Sequence, residues 1–280
     1  MIKVFADGEQ VILNKVNFSD GAFTYKLELP STLRYLCINV DTWTKVCDIR
    51  EEITLVYDSI LNSGSHIIEL ELNIPYLPYA RCDRVFEKGN PNSLKVFMEF
   101  LESLTGLTRI TTCDIHNKDA TTSYKLPLYE INQLECFKSS LRYDTKLEYD
   151  LVLAPDKGSV DKAKSIADYL GIPIFYCGKE RDITTGKIIK STIPERVNFK
   201  GKKVLIPDDI CDGGYTFIKL AELLKESGVK IVDLYITHLI ASKGLGVFKG
   251  FIDEIYYYDI VGQYINSQNV MDFNLNKGEK

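Results

Sequence analysis

The run Val204-Leu205-Ile206-Pro207-Asp208-Asp209-Ile210-Cys211-Asp212-Gly213-Gly214-Tyr215-Thr216 constrains this chain more than any other part of it. An apolar stretch closes on two adjacent acids. A third acid, two glycines and a threonine follow, and Phe217, Leu220, Ala221 and Leu224 then recur at helical spacing. The physical reading is a buried strand, a tight loop and a helix. Glycines let backbone N–H groups approach a ligand closely, and a helix N-terminus favours an anion. The paired acids fall at the carboxyl end of the strand, where open α/β sheets bind their ligands. Helix capping would account for one aspartate, not for three acids and two glycines together.

Strand and helix patterns alternate along the rest of the chain. Lys3-Val4-Phe5 runs into an Asp7-Gly8 turn and then Gln10-Val11-Ile12-Leu13, and Phe23 to Leu29 alternates until Pro30 ends it. Ile53, Val56, Tyr57, Ile60 and Leu61 are spaced as one helix face, stopped by Asn62-Ser63-Gly64. His66 to Leu72 reads as a strand, Ser93 to Thr105 as a helix, and Arg109 to His116 as a strand ending in an Asp/His pair. A strand–helix unit occupies Glu148 to Leu170, Ile172 to Cys177 is extended, and Ile231 to His238 is a strand. Such alternation predicts α/β architecture with mainly parallel sheets flanked by helices. The polar stretch Leu141-Arg142-Tyr143-Asp144-Thr145-Lys146 suggests a boundary there, giving domains of residues 1–145 and 146–280.

Composition narrows the function. A net charge of −5 over 280 residues gives no reason to expect nucleic acid or an anionic membrane as partner. The first residues do not read as a signal peptide, and no apolar run is long enough to span a bilayer. Seven scattered cysteines, never in Cys-x-x-Cys spacing, argue against a disulfide frame or structural zinc. A soluble, cytoplasmic protein is the expectation.

Chemistry-bearing residues collect at the strand ends. Pro78-Tyr79-Ala80-Arg81-Cys82-Asp83-Arg84, Asp114-Ile115-His116, Pro155-Asp156-Lys157-Gly158 and Lys179-Glu180-Arg181 each follow an apolar stretch, and Thr237-His238 closes another. Singly, each has an ordinary reading as a solvated turn or a structural histidine. Together with Phe5-Ala6-Asp7-Gly8-Glu9 and residues 208–216 they resemble, in the same order across nearly the whole chain, the motifs of the ribose-phosphate pyrophosphokinases, the phosphoribosyl pyrophosphate synthetases.

The resemblance implies two phosphoribosyltransferase-like domains, an ATP-binding one first and a ribose-phosphate-binding one second. It implies that the anomeric hydroxyl of a ribose 5-phosphate group attacks the β-phosphorus of ATP, with AMP leaving. Such phosphoryl chemistry asks for Mg2+, cations around the triphosphate and rigid alignment. By the same resemblance Phe5, Asp7 and Glu9 help hold adenine across a subunit contact, and Arg81 and Asp83 lie in the nucleotide loop. His116 and Asp156 match magnesium-binding positions. Lys179 and Arg181 match a catalytic pair on a flap, to which Thr184-Thr185-Gly186 would belong. Asp208 and Asp209 match the pair on the ribose hydroxyls, and Asp212, Gly213, Gly214, Tyr215 and Thr216 match the loop around the 5-phosphate.

Several positions depart from the family pattern. The family usually carries another strand and helix ahead of the motif that here begins at Phe5, which puts its usual hexameric assembly in question; a homo-oligomer, dimer or higher, is expected. Cys82 stands where glutamine is common, and Lys157 replaces a small residue. The phosphate loop reads Asp-Gly-Gly-Tyr-Thr instead of Asp-Thr-small-Gly-Thr, losing a hydroxyl and gaining an aromatic ring. Some relatives in phage NAD-rebuilding pathways act on ADP-ribose, a ribose 5-phosphate extended by AMP. Tyr215 either borders such an extension, stacking on a base, or packs against its own helix. A base phosphoribosyltransferase would share the acidic-pair loop without needing Arg81, Lys179 or Arg181, and a non-catalytic regulator would not need the acids.

Overall fold

The computed structural model describes residues 2–141, 148–181 and 188–275, without the side chains of 179–181, 188–191 and 275. The chain divides into two compact units, Met1–Ile131 and Asn132–Lys280.

In the first unit β1 (Ile2–Ala6) and β2 (Glu9–Val11) form a hairpin across Asp7-Gly8. Both turn residues have positive φ, 47° and 92°, as a two-residue hairpin turn requires. Glycine tolerates this freely, whereas Asp7 is held there by its neighbour strand. Its N–H donates to the Tyr35 carbonyl at 2.9 Å and its carboxylate accepts the Tyr35 N–H at 2.8 Å. A separate hairpin of β3 (Asn14–Asn17) and β4 (Phe23–Lys26) follows, then β5 (Thr32–Val40), α1 (Val46–Leu61), β6 (His66–Asn73), α2 (Ser93–Ser103), β7 (Arg109–Cys113) and β8 (Leu128–Ile131).

The six-stranded sheet has the order β2-β1-β5-β6-β7-β8, parallel from β5 to β8 and antiparallel where β1 and β2 join its edge. Its core sets Leu36, Ile38, Leu72 and Ile110 against Ile53, Val56 and Ile60 of α1 and Phe97, Met98 and Leu101 of α2. The expected strand at Phe23 stops at Lys26, short of Leu29, and β5 adds a strand beyond those singled out in the sequence.

The second unit begins with α3 (Gln133–Ser140), followed by β9 (Leu151–Ala154), α4 (Val160–Leu170), β10 (Ile174–Tyr176), a hairpin of β11 (Gly178–Arg181) and β12 (Ile188–Thr192), β13 (Lys203–Cys211), α5 (Tyr215–Glu226), β14 (Ile231–Leu239), β15 (Glu254–Ile260) and α6 (Ser267–Leu275). Its five-stranded sheet is parallel throughout, in the order β10-β9-β13-β14-β15. The division between units falls ahead of the expected boundary at 145/146. Helix α3 accounts for the difference. Asn132 and Glu135 form a capping box at its start, and Phe137 packs edge-on against Tyr235 of β14 with ring centroids 4.9 Å apart.

Chain order reverses between β9 and β13. From β9 the chain steps outward to β10, and from β13 it steps the other way to β14, so the carboxyl ends of β9 and β13 flank a topological switch point. The β9–β13 pairing covers only Leu151↔Val204 and Val152↔Leu205. It lapses ahead of Pro207, which has no N–H to offer a second neighbour. Toward β14 the pairing continues through Asp208, Ile210 and Cys211.

At the opposite end of this sheet, buried Asp233 accepts the Tyr149 hydroxyl at 2.8 Å and the Glu254 N–H at 2.9 Å. Burial, then the charge of Asp233, pushes the Tyr149 hydroxyl far above its ordinary pKa, so it stays a donor. Tyr149→Phe removes one donor from a buried carboxylate and is expected to cost about 1–3 kcal/mol; urea unfolding of the two proteins measures it, and an unshifted midpoint would refute the role.

Candidate active site

The second unit's site is built on the switch point. Strand β9 ends at Ala154, and Asp156 then folds its side chain into the turn that starts α4. Its Oδ1 accepts the N–H groups of Gly158 at 2.9 Å and Ser159 at 3.2 Å, while the Ser159 hydroxyl donates to the Asp156 carbonyl at 3.0 Å. Across the crevice, Asp208 and Asp209 lie within β13 itself rather than in the loop after it. Asp208 Oδ1 accepts the Asp209 N–H at 3.0 Å. Asp209 is buried, and its Oδ2 is 3.0 Å from the Lys162 Nζ.

These groups share one electrostatic environment. Loss of solvation, then the charges of Asp209 and Asp156, holds the Asp208 carboxyl well above the usual carboxylate range, against the opposing pull of the Asp209 N–H and Lys162. Three carboxylates and one ammonium therefore converge where two strands part. Lys162 was not among the residues singled out from the sequence. Its signal was present: it sits in the first turn of α4, where the helix dipole disfavours a cation, and a lysine held there asks for a carboxylate partner.

The loop beyond Cys211 turns into α5 through Gly214, with φ 76°. A Cβ at Gly214 would lie 2.5 Å from the Phe248 ring, so packing as well as backbone demands glycine there. The first turn of α5 carries no acid, leaving its end electropositive. Asp212 Oδ1 accepts the Ser242 hydroxyl. Tyr215 is 67% exposed at the first position of α5. Thr216 is half-buried. Thr237 and His238, the closing pair of the sequence motifs, are both buried in β14.

In the first unit the nucleotide-loop and Asp/His motifs follow adjacent parallel strands, β6 and β7. Asp114 has φ 40° and is buried, and the chain turns sharply there to leave His116 exposed. The two loops are tied together: Asn117 Nδ2 donates to Asp83 Oδ2 at 2.6 Å, and Asn92 Nδ2 donates to the Asp83 carbonyl at 3.1 Å. Asp83 thus acts as a strut for the loop that presents exposed Arg81. Asn117, which no sequence motif singled out, is its partner. Phe5, Asp7 and Glu9 occupy the β1–β2 hairpin, with Phe5 half-buried opposite Cys37 and Glu9 exposed.

Lys179 and Arg181 lie on β11, paired with Ser191 and Ile188 of β12. Their side chains are outside the described set, as are residues 184–186 of the expected flap. Among the described residues no three His, Cys, Asp or Glu side chains form a metal cage, and no helix is long and apolar enough to cross a membrane.

A family model described as a phosphoribosyl transferase domain matches residues 134–253, from the first turn of α3 to the entry of β15. The ribose-phosphate pyrophosphokinase of Pyrococcus abyssi is 32% identical over 233 residues, spanning 82% of this chain and 78% of the relative. That of Porphyromonas gingivalis is 30% identical over 230 residues, spanning 82% of this chain and 71% of the relative. The crystal structure of phosphoribosylpyrophosphate synthetase from Mycobacterium smegmatis shares the fold, with a TM-score of 0.68 over 89% of this chain and 80% of that one at 22% identity. Relatives 30% or more identical over 82% of this chain show the family, and the chain belongs to the ribose-phosphate pyrophosphokinases.

Proposed function

We propose that this chain transfers the β,γ-pyrophosphate of ATP to the anomeric hydroxyl of a ribose 5-phosphate group. The hydroxyl oxygen bonds to the β-phosphorus, the bond from that phosphorus to the α-phosphate bridging oxygen breaks, AMP leaves, and the hydroxyl proton is released. The observation that carries this reading is the convergence of Asp156, Asp208, Asp209 and Lys162 at the switch point, in a chain 32% identical to a ribose-phosphate pyrophosphokinase.

Asp208 and Asp209 suit the two ring hydroxyls of a ribose, because adjacent carboxylates accept from adjacent O–H groups. The loop of residues 212–216 and the start of α5 offer N–H groups to the 5-phosphate. Arg81 offers a planar fork to triphosphate oxygens, and Lys179 and Arg181 are assigned to the pyrophosphate in transfer, where charge neutralisation counts most. Phe5, Asp7 and Glu9 are assigned to adenine, in a homo-oligomer.

The donor chemistry fits Mg2+. The like charges that push Asp208 upward are hard oxygen donors short of positive charge, and magnesium takes one or two carboxylates plus substrate phosphates and water. By the family likeness, Asp156 in the second unit and His116 in the first are each assigned to magnesium. When bound, the ion neutralises phosphate charge; alignment of the hydroxyl and of the phosphates falls to the side chains above.

One observation favours a second acceptor, ADP-ribose. Tyr215 stands 67% exposed at the first position of α5, beside the loop assigned to the phosphate. Its ring is available to stack on a base.

AMP release from ATP and Mg2+, measured side by side with ribose 5-phosphate and with ADP-ribose, tests both readings. AMP with neither acceptor would sink them together. Lys179→Ala is expected to lower AMP formation by at least about a hundredfold with an unchanged circular dichroism spectrum; undiminished turnover would remove Lys179 from its role.

Asp208 also predicts a stability effect with a definite sign. A carboxyl whose folded-state pKa is raised keeps its proton in the fold while the unfolded chain releases it. Ligand-free stability therefore falls as pH rises from the unfolded value, about 4, up to the raised value, and stays low above it. Asp208→Asn keeps the acceptor for the Asp209 N–H and removes the ionisation. Its unfolding midpoint should exceed the parent's at pH 7 and converge with it below about pH 4. A variant less stable than the parent at pH 7 would refute this account.

A further inference from the structure

Lys243 is a cation of the second unit that the family motifs leave without a role. Lys243 follows β14 in a loop that folds back over the phosphate loop. Consecutive residues pin it there. The N–H groups of Ile240 and Ala241 donate to the Cys211 carbonyl at 2.9 and 3.1 Å, the Ser242 hydroxyl donates to Asp212, and the Gly244 N–H closes on the Ala241 carbonyl at 2.7 Å. Ala241 carries a positive φ of 48°, an arrangement alanine adopts only where neighbouring contacts hold it. Lys243 is thus delivered to the phosphate loop by the tethers of the three residues before it and by the turn that Gly244 closes.

Its aliphatic stem lies over Gly213, with Cγ 3.8 Å from the point a Cβ on that residue would occupy. Gly213 differs from Gly214 in this respect. It lacks a positive φ and a Cβ there would make only ordinary contact, so neither backbone nor packing demands glycine. What the bare backbone provides is a surface for the lysine stem. Lys243 is exposed, and no ion pair joins it to an acid among the described residues. A phosphate seated on this loop also meets the Asp212 carboxylate, in a chain of net charge −5, and a local cation offsets that repulsion.

The geometry points to Lys243 as a binding residue for the 5-phosphate end of the acceptor, its ammonium standing in for the side-chain donor that Gly213 lacks. This rests on the proposed reaction and names a determinant of its acceptor site. An ammonium on a four-carbon stem serves as a mobile point charge rather than a fixed hydroxyl. It can meet a phosphate monoester or a phosphate that continues into a second one, so ribose 5-phosphate and ADP-ribose share the chemistry it recognises.

The test is Lys243→Gln, with Lys243→Arg as the charge-retaining control, each checked for an unshifted urea midpoint. Binding of ribose 5-phosphate and of ADP-ribose is measured by calorimetry, and KM for acceptor and for ATP in parallel. Lys243→Gln is expected to weaken the better acceptor about tenfold, to raise the KM for acceptor far more than the KM for ATP, and to be largely rescued by arginine. The ratio of the effects on the two acceptors identifies which phosphate the ammonium meets. Acceptor binding within twofold of the parent for both compounds would overturn the inference, as would a parent protein that binds neither. A parent that binds acceptor and releases no AMP would overturn the reaction alone, and loss of that binding in Lys243→Gln would still support the residue.

Discussion

The site of the second unit depends on one lapse in a hydrogen-bond ladder. Strands β9 and β13 pair only at Leu151↔Val204 and Val152↔Leu205, and β13 then runs on beside β14 alone. Pro207 sits where the second ladder would have continued, and a residue without an N–H could not have sustained it. The parting opens a crevice at the carboxyl ends of both strands. It lets Asp208 and Asp209 stay within a strand, with strand rigidity, at the edge of that crevice. Asp156 reaches the same crevice because its own turn, closed by Gly158 and Ser159, keeps it at the tip of β9.

That arrangement is unfavourable in the absence of a ligand. Loss of solvation, then the charges of Asp209 and Asp156, push the Asp208 carboxyl upward, and Lys162 offsets part of the charge by pairing with Asp209. A fold selected only for stability would dilute such a cluster with apolar residues. Retaining it stores an affinity for hydroxyl donors and cations that a bound sugar phosphate and metal would satisfy, the familiar exchange of stability for activity. In the first unit the same logic is carried by backbone strain. Asp7 and Asp114 both occupy positive φ, each at the end of a strand that leads to a motif residue, and the Tyr35 main chain holds the first of them.

Much of this was legible in the residues, for stated reasons. The run from Val204 to Thr216 combines an apolar strand, acids and glycines in an order that few local structures tolerate, and α1 and α2 announce themselves by 3.6-residue spacing. Other features were hidden because they arise from tertiary contacts. Asn117 is an ordinary polar residue until the fold brings it to Asp83. Strand β5 mixes Arg34 and Asn39 with Leu36 and Ile38, a pattern softened because one end is solvated while the middle is buried. The polar stretch near residue 145 looked like a boundary, yet α3 before it belongs to the second unit through Phe137, an aromatic anchor whose partner Tyr235 is far away in the chain.

The two glycines of the phosphate loop show how structure separates kinds of departure from a family pattern. Gly214 is imposed by the protein itself, since φ 76° and the Phe248 ring leave no room for a side chain. Its identity says nothing about a ligand. Gly213 meets no such constraint, and the one neighbour at its bare face is the stem of Lys243. A side chain missing where the fold would accept one, beside a cation held over the gap, is a change in what the loop presents rather than in how it folds. Tyr215 fits the same distinction, because a ring left in solvent at a helix start contributes little to stability. On the proposed reaction, the departures from the usual loop would bear on which phosphate is received and the acids of β13 on the sugar, and the two could vary independently.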